Sequence, residues 1–260
     1  MDKQEAGQLV QDTFQNSFDK KRFYYFIKNL LNQFDENSTF IYRGKYIPDA
    51  YKPYIDVLER VGKYQDSEKN KIDILIVHLN KESSLEYART MQRNFVAWYL
   101  NGSRGGELKD AALVAFVAPS LENWRFSLVK MEYKLTETPS GKTKAKEELT
   151  PAKRSSFLVG VYENSHTAQS RLAPIIQDDI NSPTLKQLEE AFNIEKVTKE
   201  FFEKYRELFL SVKERLEELV KNDSAIRNDF EQKQVNTADF SKKLLGQIVF
   251  LYFLQKKGWF

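Results

Sequence analysis

Asp73, Glu59 and Lys81 are the side chains whose types and spacing come nearest to a reactive centre. Mg2+-dependent hydrolysis of a phosphodiester needs carboxylates from neighbouring strands to hold the ion and a lysine to orient the attacking water. Alternation along a strand puts positions i and i+2 on one face, so a second acid and the lysine belong two residues apart. The run KIDILIVHLNK (71–81) offers Asp73 as a metal ligand and Lys81 near its end, and Glu59 lies on the preceding candidate strand. Where the second acid and the lysine are expected, the sequence has His78 and Asn80. The pattern predicts a nuclease-like frame with an incomplete catalytic set.

A second group of residues is suited to binding. Arg89, Gln92 and Arg93 in LEYARTMQRNF fall three or four apart, on one helical face opposite an apolar stripe. Arginine and glutamine hold phosphates and base edges. Lys153 and Arg154 close a Lys-rich tract and extend the candidate DNA contacts to five. His78, inside an apolar strand, and His166, in a loop, have no neighbours at metal-ligand spacing and are expected to pack or cap. No glycine-rich phosphate loop and no G-x-S-x-G nucleophile occurs.

The elements that must position these residues are legible in outline. Phe23, Phe26, Ile27, Leu30, Leu31 and Phe34 recur at helical spacing within a helical start of some thirty residues, closed by DENS at 35–38. DVLERVGKY (56–64), KIDILIVHLN (71–80) and AALVAFVAP (111–119) predict strands, the last two buried on both faces. WRFSLVKMEYKL (124–135) alternates Trp124, Phe126 and Leu128 with polar partners, which predicts a partly exposed strand. Between the strands, Ser83 and Glu86 suggest a capping box that opens a helix burying Leu85, Ala88, Met91, Phe95, Trp98 and Tyr99. Asn101-Gly102 closes that helix, so a βαβ-like unit is expected.

The tract 136–154, polar and with two prolines, predicts a long mobile loop. A capping box at Thr184 and Gln187 then opens an all-helical part. Its long helix is expected to bury Val197, Phe201, Phe202, Tyr205, Leu208, Phe209, Val212, Leu216 and Leu219. The fold class expected is therefore α+β or α/β, a mixed sheet with flanking helices over residues 1–181, followed by a helical connector over 182–260.

Composition narrows the setting. The 260 residues carry 40 basic and 37 acidic side chains, a net charge of +3. Such a balance says little about a nucleic-acid partner, so any binding face must come from local clustering. There is no cysteine, which excludes disulfides and thiolate metal sites. No basic segment precedes an apolar core at the amino terminus, and the apolar run Ile248–Leu254 is far short of the ~18–20 residues of a membrane span. A cytoplasmic protein without membrane contact is expected. The terminal helix DFSKKLLGQIVFLYFLQKKGWF (239–260) is apolar on every side, which suggests a covering domain beyond it or self-association through it.

Five stretches carry a resemblance: YARTMQRNFVAWYL (87–100), WRFSLVKMEYKL (124–135), KRSSFLVGVYENSHTAQSRL (153–172), LEEAFNIEKVTKEFFEKYRELF (188–209) and FSKKLLGQIVFLYFLQKKGWF (240–260). In this order they resemble the amino-terminal half of large bacterial type IIS/IIG restriction-modification enzymes. The resemblance implies a restriction-endonuclease-like domain, a helical connector, double-stranded DNA as partner and a downstream adenine methyltransferase domain of the same polypeptide. It implies Mg2+ for an active nuclease, and S-adenosylmethionine only for the methyltransferase, whose N-P-P-[YF] tetrapeptide is absent here. The PD-(D/E)xK triad of such nucleases is not matched at His78 and Asn80. The alternatives are a non-catalytic helical module that docks a protein and, with no aromatic RNA-binding pattern to support it, a single-strand RNA binder.

Overall fold

The computed structural model describes residues 1–102, 106–132, 134–137, 143–146 and 152–256. Two compact units divide at Asn193 and Ile194. The first is built on a six-stranded mixed sheet, β1 (Phe40–Arg43), β2 (Ile55–Gln65), β3 (Lys71–Leu79), β4 (Ala111–Val117), β5 (Asn123–Met131) and β8 (Ala152–Gly160), in that spatial order. Only β3 and β4 are parallel. Their crossover runs through a one-turn helix α3 (Ser84–Tyr87) and α4 (Arg89–Leu100), so the expected strand–helix–strand unit is present. A parallel pair demands such a crossover, since a tight hairpin cannot reverse the chain twice.

Each face of the sheet builds its own core. One is aromatic: Phe14 of α1 (Lys3–Phe14) and Phe23 and Phe26 of α2 (Lys20–Leu31) meet Trp124 and Phe126 of β5. Ring centroids there are 5.4–6.0 Å apart with edge-to-face angles, the arrangement that aromatic quadrupoles favour. Leu172 of α5 (His166–Gln177) and Leu188 of α6 (Leu185–Ala191) complete this layer. The other face carries Leu75, Val77, Val114 and Phe116 against Phe95, Val96 and Leu100 of α4.

Several expectations change. The helical start is two helices, each opened by an aspartate cap, Asp2 and Asp19, and Phe34 lies beyond the second. β5 is covered on both faces, because α3 and α4 lie over its polar side. The Thr184–Gln187 capping box is present, whereas Ser83 makes no side-chain cap. The tract expected to be a loop contains a strand pair, β6 (Lys134–Glu137) with β7 (Thr143–Lys146), and the start of β8, with the rest of it outside the described residues.

α6, expected to open the helical part, packs with the sheet instead. The Asp66 carboxylate accepts the Leu185 N–H at 2.8 Å, and the Tyr64 hydroxyl donates to the Pro183 carbonyl at 2.5 Å. These bonds tie α6 to the β2–β3 corner and move the boundary past the expected position at 181–182.

The second unit comprises α7 (Ile194–Asn222), α8 (Ser224–Gln232) and α9 (Thr237–Lys256). Its amphipathic period does not translate into burial. Phe201, Phe202, Leu208 and Leu219 of α7 are exposed, and Tyr205, Phe209, Val212 and Leu216 are half-buried. Along α9 only Ser241 and Leu245 are buried among the described side chains. Leu244, Ile248, Leu251 and Tyr252, which share one face of α9, are exposed, as are Val249 and Phe253. No described helix is long and apolar enough to cross a membrane.

One close approach holds the β2 bulge, where the register shifts between Arg60 and Gly62. A Cβ at Gly62 would stand 2.6 Å from the Asp35 carbonyl oxygen and from the Phe34 ring. Backbone and a packed ring cannot both give way, so Gly62→Ala is expected to cost ~1–3 kcal/mol of stability. A urea unfolding midpoint equal to that of the unchanged protein would contradict this packing.

Candidate nucleic-acid interface

Alternation along β5 sends Trp124, Phe126 and Leu128 into the aromatic core and Arg125 and Ser127 to the opposite face. The antiparallel register with β8 sets Ser127 against Ser156 and Val129 against Arg154. Paired residues share a face, so Arg125, Ser127, Arg154 and Ser156 lie together beneath α3 and α4. Both arginines lean over the serine pair. Arg125 Nη1 donates to Ser156 Oγ at 3.4 Å, and Arg154 Nε donates to Ser127 Oγ at 3.2 Å. The Arg154 guanidinium also lies 4.5 Å from the Phe116 ring and donates from Nη1 to the Arg89 carbonyl at 3.2 Å.

That last bond fixes the start of α4 above the site. α4 begins at Arg89 after the break at Ala88, which offers no side-chain cap to the first-turn amides. Arg89 is exposed and Arg93 half-buried. Among the described residues no carboxylate lies within salt-bridge distance of Arg89, Arg93, Arg125 or Arg154. Burial, and then the nearby charges of Arg125, Arg89 and Arg93, pull the pKa of Arg154 down to about 9. Burial and the Arg89 charge also lower that of Arg125, against a weaker pull from Glu86 and Glu163. Two buried nitrogens, Arg125 Nε and Arg154 Nη2, have no hydrogen-bond partner. Buried cationic groups left in this state are costly unless an anion meets them.

Of the five expected DNA contacts, the structure brings together Arg89, Arg93 and Arg154. Gln92 is turned the other way. It is fully buried and donates from Nε2 to the Ser84 carbonyl at 2.5 Å, because it shares the stripe of Phe95, Val96 and Tyr99. Lys153 is exposed but pairs in register with Lys130, whose ammonium reaches Glu189 of α6, so it lies on the opposite face from Arg154. Sequence reasoning missed Arg125, Ser127 and Ser156. Arg125 and Ser127 form the polar half of WRFSLVKM, which predicts a partly exposed face, and Ser156 lies on β8, a strand that the pattern does not predict.

The expected nuclease set does not converge. Asp73 faces the core that holds Leu75 and Val77, and it is 2% exposed. Its carboxylate accepts from the Tyr99 hydroxyl and, at 3.4 Å, from Arg60 Nη1. The ammonium of buried Lys109 lies 4.8 Å above the Tyr99 ring, its pKa lowered by burial against the pull of Asp73. Glu59 stands in register with Ile76, whose side chain joins the aromatic core, so it points to the other side of the sheet and pairs with Lys20. Lys81 lies past the end of β3, exposed, and the extended chain from Asp73 to Leu79 alone spans roughly 20 Å.

Asp73, Glu59 and Lys81 therefore do not fit a Mg2+ site. No group of three histidine or acidic side chains able to hold a metal occurs among the described residues. His78 is half-buried on the Glu59 side, its pKa lowered by burial against the charges of Glu59 and Asp56. His166 opens α5, its N–H donating to Asn164 Oδ1. No protein-family model, no curated protein and no solved structure matches the chain.

Proposed function

We propose that the chain is the DNA-binding amino-terminal part of an enzyme of the type IIS/IIG restriction-modification kind. In this reading the first unit grips phosphates on a nuclease-like frame without cleaving DNA, and the helical unit connects to an adenine methyltransferase domain that would bring S-adenosylmethionine. The carrying observation is the cluster of Arg89, Arg93, Arg125 and Arg154, paired with no described carboxylate. Guanidinium forks match phosphate oxygens in geometry and charge. The five sequence stretches support the enzyme class, and a mixed sheet between helices is compatible with a restriction-endonuclease-like frame. The dispersed positions of Asp73, Glu59 and Lys81 support binding over cleavage.

A second reading, a helical module that docks a protein, is favoured by the exposed run Ile248–Phe253 of α9. It leaves the arginines without a role. A gel-shift assay on duplex DNA with Mg2+ present separates the readings. Retarded and intact DNA is expected. Unretarded DNA would favour the docking module, and Mg2+-dependent cutting would overturn the non-cleaving assignment.

A further inference from the structure

We infer that Arg125, Arg154, Ser127 and Ser156, beneath the first turn of α4, form a receptor for a phosphomonoester dianion, such as the terminal phosphate of a DNA strand. The inference rests on the phosphate-gripping reading above and specifies which kind of phosphate the site takes.

Depth is the first argument. Arg125 is only 6% exposed, yet its Nε has no partner. Phosphodiesters of a duplex are tethered on two sides to a convex backbone, whereas a terminal phosphate is tethered once and reaches a deep-set guanidinium more readily. Charge is the second. Four guanidinium groups gather with no described carboxylate within salt-bridge distance, and the electrostatic cost falls on Arg125 and Arg154, eased at Arg125 by the weaker pull of Glu86 and Glu163. A phosphomonoester carries about −1.5 to −2 at neutral pH, roughly twice the charge of a diester.

Donor chemistry is the third argument. Ser127 Oγ and Ser156 Oγ each accept an arginine N–H. Neither hydroxyl donates to another described residue, and half-buried Ser156 is the one of the two placed to meet an oxygen, Ser127 being fully buried. The uncapped start of α4 adds amide donors and the positive end of its dipole. Structural arginines are in most cases matched to carboxylates or carbonyls on their buried nitrogens.

The test uses the full chain and two labelled duplexes identical but for a 5′-phosphate or a 5′-hydroxyl, with inorganic phosphate as competitor. The phosphorylated duplex is expected to bind about tenfold more tightly, the scale of one or two added charge-assisted hydrogen bonds. Arg125→Met should abolish that preference, so that the two duplexes bind the variant alike. Because it removes an uncompensated buried charge, Arg125→Met should also raise the Tm of the ligand-free chain, and inorganic phosphate should raise the Tm of the unchanged chain alone.

Equal affinity for the two duplexes, with no effect of phosphate on Tm, would overturn the inference and leave DNA binding standing. If neither duplex binds but phosphate raises the Tm through Arg125, the receptor stands, its source is free phosphate, and the DNA reading falls. An Arg125→Met chain that melts lower or fails to fold would mark the arginine as structural and overturn the inference.

Discussion

Replacing Arg89 and Arg93 together by glutamate is expected to weaken binding of duplex DNA by at least about 100-fold at ~0.1 M salt. Two charge-assisted contacts are lost, each worth ~1.5–3 kcal/mol, and two repulsions replace them. The same change brings carboxylates close to Arg125 and Arg154, which have none within salt-bridge distance among the described residues. Thermal stability should therefore hold or rise while binding collapses, which separates a lost contact from a lost fold. Lys153→Glu, on the far side of the sheet, should change affinity less than about threefold. Equal losses from both variants would mean that net charge, rather than this cluster, holds the DNA.

Asp73→Ala is expected to destabilise the first unit by ~3–5 kcal/mol, the usual cost of removing one partner from a buried ion pair. The substitution takes the acceptor from the Tyr99 hydroxyl and from Arg60, and it leaves Arg60 and the Lys109 ammonium facing each other across the gap. Burial already holds the Tyr99 hydroxyl well above the ordinary tyrosine range, and the Asp73 charge adds to that. A metal ligand would behave in the opposite way, since its removal relieves crowded negative charge and spares the fold. Urea unfolding followed by near-ultraviolet circular dichroism reads the difference. An unchanged midpoint for Asp73→Ala would reinstate Asp73 as a functional carboxylate.

The parts of the fold that were legible in the sequence are those whose local pattern is decided by two-sided burial. KIDILIVHLN and AALVAFVAP are apolar at nearly every position and can only be central strands. Their shared helix was also visible, but its rotation was not. The break at Ala88 lets α4 start afresh at Arg89, and the buried stripe becomes Gln92, Phe95, Val96 and Tyr99. Met91 and Trp98 are left half-buried. A polar residue inside the stripe donates to one carbonyl, that of Ser84, which periodicity cannot foresee, and its Oε1 has no hydrogen-bond partner.

β8 was hidden because it is an edge strand whose polar positions Arg154 and Ser156 face other polar groups. Its start also merges in sequence with the Lys-rich tract. In the candidate site, Arg89, Arg93 and Arg154 were readable as chemistry, while their meeting with Arg125 depends on the β5–β8 register. The failure of the nuclease set has the same origin. Glu59 and Asp73 sit on adjacent strands, and only register tells that they occupy opposite faces. For α7 the reverse holds, since amphipathic spacing predicts a face and not the layer that covers it.

The most direct test of the central claim is the salt dependence of duplex binding by the intact chain. Each phosphate contact releases condensed counterion and steepens the slope of log affinity against log salt by about 0.9. With the arginine cluster engaged, a slope of about −2 to −4 is predicted, reduced by about 2 in the Arg89→Glu, Arg93→Glu double variant. Affinity that is flat with salt, or a slope unchanged in that variant, would contradict the account.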